Sequence, residues 1–229
     1  MIARAVIFDM DGLLIDSERA MLECWRDTAV QQSLALDDTV WLSMVGLHEA
    51  GCAELLEGLL GAKQAERLTL ECKHRYDHLL ESGLPLKSGV RELLDYLSSH
   101  DVPMAVATST RRERAQIKLA RSGIDGYFSH VVTSSDVLHA KPAPDLYLLA
   151  AQRLGMAPGE CVALEDSEFG VRAASAAGIR VIQVPDLVPA TDLTRKLAQV
   201  VPSLPQARPL INAFLGFGEL LDAEVVLTD

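Results

Sequence analysis

The chain is short of cysteine pairs, long apolar runs and positive charge, and each shortage closes off a class of function. Its four cysteines, Cys24, Cys52, Cys72 and Cys161, are widely spaced and form no Cys-x-x-Cys pair. They are too few to staple 229 residues, so reduced structural thiols are expected. No stretch has the length of apolar residues needed to cross a bilayer, and the N-terminal segment turns acidic at Asp9 before a secretory apolar core develops. A cytoplasmic protein with no membrane contact is the expectation. The formal net charge of −11 leaves no surplus of clustered Lys and Arg for a phosphate backbone, which argues against nucleic acid as a partner. No internal repeat or low-complexity run is found. Nothing bears on oligomeric state, for which a monomer is the default.

What is present is 49% hydrophobic residues, enough for one sizeable core or for a core with a smaller insertion. Short apolar runs occur at Ala5-Val6-Ile7-Phe8, Met104-Ala105-Val106-Ala107, Val131-Val132, Val162-Ala163-Leu164 and, broken by Arg180 and Gln183, from Ile179 to Val184. Runs of this kind are what strands buried on both faces of a parallel sheet require, and five strands are predicted. The intervening segments Arg112 to Ser122, Asp145 to Leu154 and Phe169 to Ala177 have helical spacing of apolar residues and stop at Gly123, Gly155 and Gly178, residues suited to helix C-caps. Strand alternating with helix at this rhythm predicts an α/β fold, a doubly wound, Rossmann-like parallel sheet. The exception is Ser17 to Ser82, rich in Leu, Ala, Glu and Arg and without strand-like alternation. It reads as a small all-α insertion after the first strand, with the chain returning at Ser82-Gly83-Leu84-Pro85 and Lys87-Ser88-Gly89-Val90 opening a core helix. The predicted division is a core of residues 1–16 and 83–229 and a helical cap of 17–82. The tail after Pro202, with Pro205 and Pro209, yields no assignment.

Ligands of open parallel sheets bind beyond the carboxyl ends of the strands, so the residues directly after each apolar run matter most. The first run ends in Asp9 and Asp11 before Gly12, the second in Thr108-Ser109-Thr110, the third leads through Thr133-Ser134-Ser135-Asp136 to Lys141, and the fourth ends in Glu165-Asp166-Ser167. Residues two apart on an extended chain point the same way, which places both first-strand carboxylates at one pocket. Two like charges so close raise each other's cost of ionisation unless a cation offsets it or one carboxyl keeps its proton. Each piece also has an ordinary explanation. Asp-Gly is a common turn pair, Thr108 could be a satisfied strand-end hydroxyl, Lys141 a solvated cation before a proline turn, and Glu165-Asp166 an acidic helix start favoured by the macrodipole. Taken jointly, acids for a cation, hydroxyl and N–H donors and one ammonium are the parts that bind and neutralise a phosphoryl group.

Phe8-Asp9-Met10-Asp11-Gly12 with Asp16-Ser17-Glu18, Ala107-Thr108-Ser109, Lys141-Pro142-Ala143-Pro144, and Leu164-Glu165-Asp166-Ser167 with Gly170 together resemble the haloacid dehalogenase superfamily of phosphohydrolases. The resemblance is to the branch holding β-phosphoglucomutase and small sugar-phosphate phosphatases, and it covers nearly the whole chain. It implies that Asp9 is a nucleophile forming an aspartyl-phosphate, and that Asp11 protonates the departing alkoxide and then activates water. It also implies that Mg²⁺ is held by the Asp9 carboxylate, the Asp11 backbone carbonyl and Asp166, with Glu165 a direct ligand or one acting through water. Thr108 and the Ser109 backbone N–H would bind phosphoryl oxygens, and Lys141 would balance the charge between Asp9 and phosphate.

A dehalogenase needs only the first carboxylate, because a leaving halide takes no proton, so Asp11 favours phosphate chemistry. The mutases of this branch have an additional acid/base His four residues after the Ser/Thr of the Asp-Ser/Thr pair, where this chain has Met21, and an Arg near a Gly of the insertion, where it reads Gly46-Leu47-His48-Glu49-Ala50. A phosphatase acting on small phosphomonoesters such as sugar phosphates is therefore expected, with a β-phosphoglucomutase-type phosphomutase as the alternative. The insertion would be the family's cap, closing over substrate and excluding water. Met21, Trp25, His48 and Glu49 are candidates to face the site, His48 foremost as a partner for a sugar hydroxyl. His74, His78, His100, His130 and His139 show no metal-ligand spacing.

Overall fold

In a computed structural model, residues 2–45 and 49–217 are described. Six strands, β1 (Ala5–Phe8), β2 (Met104–Ala107), β3 (His130–Val132), β4 (Cys161–Glu165), β5 (Arg180–Gln183) and β6 (Gln199–Val200), form one sheet in the order β3-β2-β1-β4-β5-β6. Every pairing is parallel. The order reverses between β1 and β4, so a crevice opens at their carboxyl ends, and that is the edge onto which the acidic residues project.

The sheet is buried on both faces because side chains alternate along each strand. Val6, Phe8, Met104, Val106, Val162, Leu164 and Ile182 point into one core with Leu93, Leu94, Leu97, Leu204 and Ile211. Ala5, Ile7, Ala105, Ala107, Cys161, Ala163 and Val181 face the other, with Tyr147, Ala150, Val171 and Ala174. The second face is built largely of alanine, which lets its helices approach the sheet closely.

Ten α-helices accompany the strands among the described residues. The first four follow β1 and occupy the stretch from Ser17 to Ser82: α1 (Ser17–Gln31), α2 (Asp38–Met44), α3 (Glu49–Leu60) and α4 (Ala62–Ser82). Helix α1 packs on α2 and α4, and α4 packs on α3. The chain leaves and re-enters the sheet side by side, since Ile15 bridges to Asp11 on one flank and to Leu86 on the other. The remaining helices are α5 (Val90–Ser99), α6 (Arg112–Arg121), α7 (Asp145–Arg153), α8 (Glu168–Ala176), α9 (Asp192–Leu197) and α10 (Leu204–Leu215).

The sixth strand corrects the expectation of five. β6 is a two-residue edge strand, one residue exposed and one half-buried, and has no apolar run to announce it. Within the tail beyond Pro202, Leu204–Leu215 form α10 despite the prolines, because Leu204, Ala207, Ile211 and Leu215 present a buried face at helical spacing.

Candidate active site

One residue beyond β1 the ladder continues, with the Asp9 backbone N–H donating to the Leu164 carbonyl at 3.0 Å. This bond sets Asp9 beside Glu165 and Asp166 at the end of β4. Potential ligand atoms of Asp9, Glu165 and Asp166 all lie within 4.8 Å of one another, and all three residues are buried. Gly12, with φ of +82°, allows the close approach, since a Cβ there would stand 2.3 Å from Asp166 Oδ2. Lys141 enters from the loop before α7 with its side chain only 5% exposed. Its Nζ donates to Asp9 Oδ1 and to Glu165 Oε1 at 2.5 Å.

Glu165 is wholly enclosed and fully engaged. Oε1 also accepts from the Tyr147 hydroxyl at 2.6 Å. Oε2 faces the Asp166 N–H at 3.1 Å, the Ser167 N–H at 3.3 Å and the Ser167 hydroxyl at 3.2 Å. The side chain occupies the space that a Cβ on Gly170 would need, 1.8 Å from Oε1.

Three buried carboxyls share one buried ammonium here, and the imbalance governs their protonation. Burial drives the Asp9 carboxyl well above the ordinary carboxylate range; Lys141 opposes the rise, and Glu165 and Asp11 add to it. Burial likewise raises Asp166, reinforced by Asp9, Glu165 and Glu18. Burial would strip Lys141 of its proton, but Asp9 and Glu165 more than compensate and hold it as an ammonium.

Asp11 lies in a different environment. Its Oδ1 accepts from the Ser17 hydroxyl at 2.6 Å and from Lys118 Nζ. Its Oδ2 accepts from the Thr110 hydroxyl at 2.6 Å and from the Thr108 hydroxyl at 3.3 Å. Burial pushes its pKa upward, but Lys118, Ser17 and Thr110 overcome that and leave it below the ordinary value. In this arrangement Asp11 is a carboxylate, the form of a base. Nearby Glu18 is raised to about 7, chiefly by burial and then by the Asp11 charge.

The structure thus brings Asp9, Asp11, Thr108, Lys141, Glu165 and Asp166 to one edge. Ser109 is exposed beside them. His48 lies outside the described residues, as do the side-chain surroundings of Glu49. Trp25 is corrected from candidate contact to packing, since it is buried and stacks on Trp41 with centroids 6.0 Å apart and planes at 9°. Met21, half-buried, packs against the core with its sulfur 3.9 Å from that of Cys72. Sequence reasoning missed Tyr147 and Lys118, and it placed Thr110 at the strand end without giving it the Asp11 contact. Tyr147 could have been found, standing six residues after Lys141 on the helix that the lysine loop opens.

A carboxylate and lysine centre at the switch point of a doubly wound parallel sheet, with helices inserted after the first strand, defines a class of α/β enzymes. The family model for haloacid dehalogenase-like hydrolases matches residues 6–184, and the chain belongs to that family. Among its relatives, the fructose-1-phosphate phosphatase YqaB of Escherichia coli is 35% identical over 190 residues, which are 78% of this chain and 95% of that protein. The phosphorylated carbohydrates phosphatase of Thermotoga maritima is 34% identical over 180 residues, 76% of this chain and 82% of the other. A crystal structure of a HAD family hydrolase from Deinococcus radiodurans, with bound phosphate and sodium, superposes with a TM-score of 0.78 at 27% identity, covering 93% of this chain and 96% of that one.

Proposed function

We propose that this hydrolase is a Mg²⁺-dependent phosphatase of small phosphorylated carbohydrates that works through a phospho-Asp9 intermediate. The observation that carries the reading is the Lys141 ammonium bridging Asp9 and Glu165 inside a buried acidic cluster. An Asp9 carboxylate oxygen attacks phosphorus while the ester P–O bond breaks and its electron pair passes to the sugar oxygen. Asp11, a carboxylate in the arrangement above, takes up a proton as the anionic ester enters, gives it to that oxygen and, ionised again, takes a proton from the water that cleaves the Asp9–phosphate bond. Lys141 offsets the charge between Asp9 and the phosphoryl group. Thr108 and the Ser109 N–H supply donors to the phosphoryl oxygens.

The donor set suits a small hard cation, being all oxygen, rich in carboxylate and short of positive charge without one. Asp9, Asp166 and the Asp11 backbone carbonyl would hold it, and when bound it supplies positive charge to the phosphoryl oxygens. Glu165, with both oxygens engaged by protein donors, reads better as the residue that aims Lys141 than as a direct ligand. The helical stretch 17–82 acts as a cap over the core formed by 1–16 and 83–229, excluding water and choosing the sugar, with His48 contacting a hydroxyl. The names of the Escherichia coli and Thermotoga maritima relatives favour phosphorylated carbohydrates as substrates. Met21, where mutases of this branch have an acid/base His, favours water over a second sugar as acceptor.

The test is turnover of a panel of sugar phosphates and an aryl phosphate, with and without Mg²⁺. Asp9→Asn is expected to lower kcat at least about a thousandfold on every ester. Undiminished activity in that variant would refute the nucleophile, and conversion of β-glucose 1-phosphate to glucose 6-phosphate without phosphate release would favour the mutase.

A further inference from the structure

The geometry points to Lys118 as a positioning residue for Asp11, seated by Tyr76 of the helical insertion; this rests on reading Asp11 as the proton donor to the leaving oxygen. Lys118 lies on α6, away from every strand end, yet its side chain is only 7% exposed. A buried ammonium persists only where partners compensate for lost hydration. Lys118 has two such partners: its Nζ donates to Asp11 Oδ1 and lies 5.5 Å from the centroid of the Tyr76 ring. Tyr76 is 1% exposed and sits on α4. The next residue, Asp77, pairs with Arg114, one helical turn before Lys118 on α6. Helix α4 therefore rests on α6 through two adjacent contacts, and one of them continues to the site.

Four side-chain donors reach Asp11, from Ser17, Thr108, Thr110 and Lys118, and only the last is charged. Charge-assisted hydrogen bonds are roughly twice as strong as neutral ones, so the ammonium dominates the orientation of the carboxyl group. A proton donor must lie within hydrogen-bond reach of the leaving oxygen, and here that placement depends on how α4 sits on α6.

The experiment compares leaving groups in single turnover on the full chain. With a sugar phosphate, taken as the best ester of the sugar-phosphate panel, the alkoxide needs Asp11's proton. With 2,4-dinitrophenyl phosphate the phenolate departs without one. Lys118→Met is expected to slow sugar release about a hundredfold and dinitrophenolate release less than about threefold. Lys118→Arg should recover most of the sugar rate. Because both rates come from the same sample, their ratio is independent of the fraction folded. Tyr76→Leu should move the ratio the same way by about threefold or more; an unchanged ratio would remove Tyr76 from the inference. Equal losses on both esters in Lys118→Met, or a faster sugar rate, would overturn it, the first marking a merely structural lysine and the second a restraint on Asp11. Asp11→Asn run in parallel separates the two claims. Selectivity there but not in Lys118→Met sinks only the lysine, whereas its absence from Asp11→Asn sinks the proton-donor reading itself.

Discussion

At Gly170 the absence of a methyl group decides how the site is built. The Glu165 carboxyl fills the space a side chain would take, its Cδ 1.9 Å from where a Cβ would stand. Glu165 has no room to yield, being fully enclosed and held at both oxygens. Gly170→Ala must therefore displace Glu165 and with it the contact that aims Lys141 at Asp9. The expected result is a loss of about a hundredfold or more in kcat and about 1–3 kcal/mol of stability in urea unfolding. Wild-type activity in this variant would show that Glu165 does not set the lysine. At this scale the sequence was informative wherever a polar residue closed an apolar run, which is how Asp9, Asp11, Thr108, Lys141, Glu165 and Asp166 were legible. Lys118 was not. It lies between Ile117 and Leu119 on a helix carrying three arginines, where a lysine reads as one more solvated cation. Its burial comes from Tyr76, a residue of another element forty-two positions earlier.

Among the elements, the helices ended where their glycines foretold. After α6, α7 and α8 the N–H groups of Gly123, Gly155 and Gly178 donate to Ala120, Gln152 and Ser175, and those of Ile124, Met156 and Ile179 to Leu119, Ala151 and Ala174. All three glycines have positive φ, so each helix closes with the same paired cap. The turn after β3 depends instead on one carboxylate. Asp136 Oδ2 accepts from the Thr133 N–H at 3.0 Å and the Thr133 hydroxyl at 2.6 Å. Its Oδ1 accepts from Arg153 at 2.7 Å and Arg112 at 2.8 Å, tying β3 to α6 and α7. Burial opposes its ionisation, but Thr133 and Arg153 outweigh that and hold its pKa at about 2. A folded-state pKa below the unfolded one contributes stability that is present above the unfolded value and lost as pH falls through the folded one. Asp136→Asn is accordingly expected to cost about 2 kcal/mol at neutral pH. The gap from wild type should narrow between about pH 4 and pH 2 in unfolding curves. A gap that stays constant through that window would assign the stabilisation to shape instead of charge. Strand β6 had no comparable signal, because two residues at a sheet edge need no apolar run and leave no alternation.

Over the whole molecule, sheet order gathers what the sequence scatters: β1 between β2 and β4 sets Asp9 beside Thr108 on one side and Glu165-Asp166 on the other, and the loop after β3 delivers Lys141. The convergence was legible because consecutive parallel strands end on a common edge. The seating of the insertion on the core was not, since helix-to-helix contacts across long separations leave no periodic trace. The assembled fold carries an excess of buried acid at the switch point, and stability should reflect it. Asp166 has a pKa raised above the unfolded value, mainly by burial. A raised carboxyl contributes stability below the unfolded pKa and loses it as pH rises through the folded one, so at neutral pH without a divalent cation the site works against folding. Asp166→Asn cannot ionise and is expected to melt above wild type at pH 7 in chelator, with the advantage gone near pH 4. Millimolar Mg²⁺ should reverse the ranking, because a ligand of the folded state stabilises by RT ln(1 + [L]/Kd), about 2.7 kcal/mol at a hundredfold excess over Kd. The asparagine variant, having lost a ligand, should respond far less. Equal melting in chelator together with equal Mg²⁺ shifts would mean that Asp166 neither strains the fold nor holds the cation. The acidic cluster would then be a structural feature, and the role given to Mg²⁺ would have to be placed elsewhere.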